Sequence, residues 1–241
     1  MTVPERLLGA ASPVGTLLRL DELQLNFSPA EVVGPEWHFD TWRYPLGWEA
    51  PGPPERCGPW ETACELVRDY EFSSPDLVRA VYDERECLDG RNMLLEARFY
   101  GMRFYLGVRV TEIIDYELPD RRVWGWAYST LQGHLERGKM RYEVVKHSNT
   151  GLVEFIANGY SQRAPDLGPV IKLGWLLFGR HMQLRFYRQS GRRLQALVRA
   201  RLAGEDLPPR RQFGNIVLAP SGVRPTAVDR LVVRVHHPGR T

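Results

Sequence analysis

Hydrophobic and polar positions alternate with a period of two through the middle of the chain. Met93, Leu95, Ala97 and Phe99 alternate with Glu96 and Arg98 up to Gly101. Phe104, Leu106, Val108 and Val110 then alternate with Arg103, Arg109 and Thr111, as half-buried strands require. Further strands are predicted at Val123–Leu131, Lys139–Lys146 and Leu152–Ser161, the last two joined by a turn at His147-Ser-Asn-Thr-Gly151. Consecutive strands with such short connections form a mostly antiparallel, curved sheet.

On both sides of this block the period becomes helical. Trp60, Ala63, Cys64 and Val67 repeat at helical spacing after Pro59. A second short helix is predicted from Ser74-Pro75, an N-cap followed by proline at the first helical position, with Leu77, Val78 and Val81 on one face. Beyond the strands a long helix is predicted from about Leu167 to Leu202. Its stripe is Leu173, Leu177, His181, Leu184, Tyr187, Leu194, Val198 and Leu202, and it would run on the order of 50 Å. Arg185, Arg188, Arg192 and Arg199 line the neighbouring flank as a solvated face.

These elements define an α+β fold of helix-grip type: a curved antiparallel sheet wrapped around a long C-terminal helix, with two short helices near the start. A strongly bent sheet cannot close its own concave side. A helix laid across it covers most of the apolar face and leaves room for an apolar ligand. The expected organisation is an N-terminal extension over 1–58, with an extended segment in Trp37–Tyr44 and a loop over 45–59, then the domain over 59–203. The Pro-rich tail, 204–241, contains one β-like run, Leu231–Val235, and packs on the domain or stays partly ordered.

Composition changes this picture little. An apolar share of 43% and a charged share of 25% in 241 residues describe a globular chain with one substantial core. The formal charge of +3 is too small to announce a nucleic-acid binder, and the arginines are spread along the chain; Lys139, Lys146 and Lys172 are its only lysines. Cys57, Cys64 and Cys87 have neither CxxC nor zinc-ligand spacing, which suggests reduced, partly buried thiols in a cytoplasmic setting. The N-terminal residues lack the unbroken apolar core of a signal peptide. The most apolar window, 167–179, contains Lys172 and is shorter than the roughly 20 residues that span a bilayer. No P-loop, GxGxxG or GxSxG is present, so neither a nucleotide cofactor nor a serine nucleophile is expected.

The most distinctive stretch is Tyr128-Ser-Thr-Leu-Gln-Gly-His134-Leu-Glu136-Arg-Gly138. It resembles the Y-G-T-L-x-G-H-x-E-x-G-E hallmark of uncharacterised protein family 0548, a domain-of-unknown-function family. Matches continue in the same order through Tyr160-Ser161-Gln162-Arg163-Ala164, Leu173-Gly174 and Gly179-Arg180, with Gln183, Arg185, Phe186 and Tyr187. The resemblance covers about residues 59–202 and implies a START-like (SRPBCC) fold, whose members bind lipids, polyketides and other apolar molecules or act as cyclases. The chain departs from the pattern at Ser129, Lys139 and Gln162, where the family has glycine, glutamate and arginine.

His134 and Glu136, two residues apart in extended chain, would point to one side, suited to proton transfer or to two metal ligands. A third ligand for a metal is not evident. The structural alternative is that Glu136 accepts backbone N–H bonds in the Gly-flanked turn while His134 fills a polar pocket. Arg180 falls within the apolar stripe of the long helix. A buried guanidinium requires a carboxylate or anionic ligand, so a pairing with Glu136 is expected, unless Arg180 extends to solvent. Trp126, Tyr128 and Tyr142 are expected among the cavity walls, with Trp124, Phe155 and Tyr160 as further candidates or as ordinary core. Three functional readings follow: a binding protein for a small apolar or amphipathic molecule, without cofactor, metal or nucleic acid; an enzyme (cyclase, dehydratase or hydrolase-like) using His134 and Glu136; or a scaffold whose cavity is filled by its own side chains.

Overall fold

A computed structural model describes residues 13–99, 102–165, 169–222 and 233–236, with side chains for 14–98, 103–165 and 181–222. The described residues form three α-helices, α1 (Pro13–Arg19), α2 (Pro59–Arg68) and α3 (Pro169–Leu202), and ten strands. The strands are β1 (His38–Trp48), β2 (Val78–Asp83), β3 (Asn92–Phe99), β4 (Met102–Leu118), β5 (Arg121–Thr130), β6 (Glu136–His147), β7 (Leu152–Arg163), β8 (Arg211–Phe213), β9 (Ile216–Ala219) and β10 (Val233–His236). They make one sheet in the order β1-β7-β6-β5-β4-β3-β2-β9-β8, antiparallel along this path, with β10 parallel to β4. The predicted alternation thus becomes β3 to β7. No helix among the described residues is long and apolar enough to cross a membrane.

One core cluster collects the inward residues of this sheet. It joins Leu46, Tyr82, Leu95, Leu106, Trp126, Val144, Phe155 and Val217 to Ala63, Leu66 and Val67 of α2 and to Tyr187, Leu194, Leu197 and Val198 of α3. Eight adjacent strands laid flat would span roughly 34 Å, whereas a helix with its side chains is about 10 Å wide. One cluster can include both helices and all those strands only if the sheet curls around them. On the opposite face α1 and the turn after it cover a second cluster, including Leu17, Leu20, Leu94 and Tyr105. That face also buries Glu96 between Arg79 and Arg103, the latter donating to its carboxylate at 3.1 Å. Desolvation pushes the Glu96 carboxyl up, against the pull of the arginines.

Three expectations change. Ser74 does not start a helix: its carbonyl accepts from Leu77 and Val78 in a turn, and Val78–Asp83 becomes β2 between β3 and β9. Val78, Ala80 and Tyr82 face the main core while Val81 packs in the second cluster. The helical spacing was therefore coincidental, and pairing on both edges overrode the local cap. On α3, Tyr187, Leu194 and Val198 of the predicted stripe are buried and Leu184 packs against the core, but His181 and Leu202 are exposed and Met182, Ser190 and Leu197 are buried in addition. Arg185, Arg188, Arg192 and Arg199 are exposed, as expected. The tail contributes a short hairpin, β8–β9, that extends the sheet beyond β2. Of the three free thiols, Cys57 and Cys87 are exposed and Cys64 alone is part-buried, so burial pushes the Cys64 thiol well up.

A buried ion pair ties the ends of this arrangement together. Lys146 on β6 donates to Glu49 Oε2 at 2.8 Å and to the Ala50 carbonyl at 2.7 Å, and both side chains are 0% exposed. Glu49 Oε1 also accepts from the Trp60 amide at 2.7 Å. This supplies α2 with the N-terminal acceptor that its own N-cap, Gly58, lacks.

Candidate functional site

Between the inner face of the sheet and α3 lies a cavity of about 180 Å³. Its apolar walls include Leu95, Ala97 and Leu106 from the sheet and Met182 and Phe186 from α3. At its polar side the distinctive motif sequence closes. Leu131–Leu135 forms a turn between β5 and β6 with Gly133 at φ +80°, a conformation that favours glycine. At Gly138 a Cβ would stand 2.2 Å from the Tyr160 carbonyl oxygen, so only glycine lets β6 lie this close to β7. Thr130 Oγ1 accepts from the Gly138 amide at 2.9 Å and donates to Asn26 Oδ1 at 2.6 Å. Asn26 in turn donates to the Glu136 carbonyl at 2.9 Å. The segment before β1 thereby fastens the turn.

His134 and Glu136 both line the cavity, but not as neighbours on an extended strand. β6 begins at Glu136, and His134 sits in the turn before it. Its Nδ1 lies 2.9 Å from the Glu136 amide and 3.0 Å from the Glu136 carbonyl. Unprotonated Nδ1 accepts from that amide, and a protonated one donates to that carbonyl; either tautomer ties the ring to the backbone. In the turn, His134 thus meets a backbone N–H with its ring nitrogen. Glu136 Oε1 accepts from Gln183 Nε2 on α3 at 3.1 Å. The side chain of Arg180, and with it the expected pairing to Glu136, lies outside the described residues.

Tyr128, Tyr142 and Tyr160 line the cavity. Trp126 and Phe155 are buried behind the wall. The Trp126 indole donates to the Val67 carbonyl at 3.0 Å and so braces α2. Phe155 stacks on Tyr142 with ring centres 6.1 Å apart. Trp124 is only partly buried against the core. At the positions that depart from the family pattern, Ser129 Oγ meets Thr111 Oγ1 at 2.9 Å, Lys139 pairs with Glu112 at 2.6 Å, and Gln162 accepts from Arg137.

Sequence reasoning missed Tyr70, which lines the cavity and is 1% exposed. The Glu71 amide bonds to the Leu66 carbonyl at 2.8 Å, the signature of a helix end whose C′ residue is left-handed. Glycine is the usual occupant of that place; here it is Tyr70, at φ +60°. The strain, of order 1–2 kcal/mol, turns a large ring into the cavity. Burial raises the Tyr128 hydroxyl to about 12 and pushes those of Tyr70 and Tyr142 well above their ordinary value. These phenols therefore stay protonated and serve as hydrogen-bond donors. Among the described residues no group of three or more His, Cys, Asp or Glu side chains could hold a metal ion.

A large, curled antiparallel sheet with a mostly apolar cavity between it and a C-terminal helix defines an α+β domain with a pocket of small-molecule size. The profile of one family, described as Domain of unknown function (DUF1990), matches residues 24–193, and the chain belongs to that family. No curated protein matches the sequence. Similar solved structures include hypothetical protein jhp0584 from Helicobacter pylori, at 11% identity over 72% of this chain and 95% of that one, with a TM-score of 0.44. Ara h 8.0201 is 14% identical over 68% of this chain and 99% of its own, with a TM-score of 0.40. An uncharacterized protein from Rhizobium leguminosarum is 8% identical over 68% and 96%, with a TM-score of 0.35.

Proposed function

We propose that this chain is a non-catalytic binding protein of the START-like, helix-grip kind, holding one small apolar or amphipathic molecule between sheet and helix. The observation that carries this reading is the cavity itself: about 180 Å³ lined by Leu, Ala, Met and aromatic side chains together with polar groups. An engineered apolar cavity of about 150 Å³ binds benzene, so this one, at about 180 Å³, suits a single ring or a short chain. Tyr128, Tyr142, His134 and Glu136 would orient the ligand, with Arg180 joining them at the polar side. Trp126 supports the wall from behind. The motif's resemblance to family 0548 agrees with this assignment, and three free thiols suit a reducing, cytoplasmic setting.

Native mass spectrometry of freshly purified protein tests the reading, together with a thermal-shift panel of single-ring and short-chain compounds. A retained molecule of that size, or a compound raising the melting temperature in proportion to the logarithm of its concentration, is expected. No retained mass and no stabilising compound across neutral, anionic and cationic members of the panel would return the scaffold reading.

A further inference from the structure

Charge is divided unevenly between α3 and the rest of the chain. Pro169–Leu202 contains eight Lys and Arg residues and no Asp or Glu, whereas the remainder holds 24 basic and 29 acidic residues. Two of the helix arginines meet carboxylates: Arg193 reaches Glu71 at 3.8 Å and Arg201 reaches Glu65 at 3.4 Å. Arg185, Arg188, Arg192 and Arg199 are exposed and have no ion pair among the described residues. At 100° per residue these four fall within about 60° of one another, and they extend over roughly 21 Å of helix. They form one cationic ridge. Like charges three and four residues apart repel, and a face that only meets water normally mixes both signs.

We infer that this ridge docks the protein on an anionic lipid bilayer, with the outer side of α3 against the headgroups. Each basic side chain brought near such a surface adds to the attraction, and the contributions accumulate along the ridge. Tyr187, Leu194 and Val198 on the inner side of α3 are held in the core, so the helix keeps its apolar face from the lipid and the adsorption is electrostatic. The choice of a bilayer over a nucleic acid rests on the binding reading above. Met182 and Phe186 of the same helix line the cavity, so docking sets the cavity's cover against the phase in which an apolar ligand dissolves. The ridge also offers a base no exposed Phe, Tyr or Trp to stack on; the other exposed positions along it are His181 and Ala196.

Cosedimentation of the full chain with vesicles tests this, using phosphatidylcholine alone and phosphatidylcholine with about one-quarter phosphatidylglycerol. In about 0.1 M salt the wild type is expected to bind the anionic vesicles at least about tenfold more tightly than the neutral ones, and about 1 M salt, with a screening length of about 3 Å, should release it. Arg188→Gln combined with Arg192→Gln should weaken anionic binding about 25-fold, at about fivefold for each arginine. Arg85→Gln combined with Arg121→Gln removes the same charge from exposed pairs away from the helix and should change binding less than about twofold. The helix variant should keep or raise the melting temperature, since it loses a like-charge pair. No preference for anionic vesicles, equal losses in the two variants, or tighter binding to a single-stranded or duplex oligonucleotide than to the vesicles each overturn the inference. The two readings fail separately: a retained ligand without vesicle binding removes docking alone, whereas ridge-dependent vesicle binding without any ligand removes the binding reading and keeps docking.

Discussion

Replacing Lys146 with methionine isolates the buried ion pair that joins β6 to the loop after β1. Methionine keeps the length and apolar stem of lysine and deletes only the ammonium. Glu49 would then remain at 0% exposure with its two backbone donors, the amides of Glu55 at 3.0 Å and Trp60 at 2.7 Å, but without its cation. The carbonyl of Ala50, 2.7 Å from Nζ, would also lose its donor. Removing one member of a buried pair costs about 3–5 kcal/mol, because the other charge stays desolvated. With a urea dependence of about 3 kcal/mol per molar for a chain of this size, the midpoint of unfolding followed by circular dichroism should fall by roughly 1–1.7 M. Adding Glu49→Gln to Lys146→Met removes the stranded charge while leaving an amide oxygen for the Trp60 N–H, and should recover about half of the loss. A cost under about 1 kcal/mol, the range of exposed pairs, or a double variant no more stable than Lys146→Met, would refute the reasoning.

Ala97→Leu places three further carbons against the cavity wall. It should leave the melting temperature unchanged or raise it while abolishing ligand binding, whereas a filled core would be destabilised by about 1–3 kcal/mol. Gly138→Ala should cost more than about 2 kcal/mol in chemical denaturation, since its Cβ would sit 2.2 Å from the Tyr160 carbonyl. Tyr70, Tyr128 and Tyr142 hold their protons in the folded state beyond the ordinary value of 10, Tyr128 to about 12. The unfolded chain loses those protons first as pH rises, so stability is fully present below pH 10 and is lost as pH climbs through about 12. Absorbance titration should show these phenols ionising only with unfolding, and Tyr128→Phe should shallow the decline.

The alternation that announced β3 to β7 was legible because those strands bury one face in a single large core, so inward positions tolerate little but apolar residues. The same logic failed for Leu77, Val78 and Val81, where a few apolar residues fit both periods and the preceding Ser-Pro imitated a helix start. The hairpin of β8 and β9 is three and four residues long, too short to show a period. Part of the site was legible. The motif segment around His134, Glu136 and Gly138 does border the cavity, and Gln183, noted only as a matching position, bonds Glu136. Tyr70 was not legible, because its place depends on a left-handed helix end that glycine would have advertised. Nor was the pair Glu49–Lys146, whose members are separated by 97 residues and meet only when the sheet is complete.

The pairing of β1 with β7 sets His38 opposite Ser161, so the chain must grow by more than a hundred residues before its first long strand finds a partner. At ribosomal rates of about 5–20 residues per second that is a wait of roughly 6–25 s. During it Phe39, Trp42 and Tyr44 have no sheet to join. Such distant closures fold slowly, and the aromatic β1 segment is where a nascent-chain chaperone would find its grip.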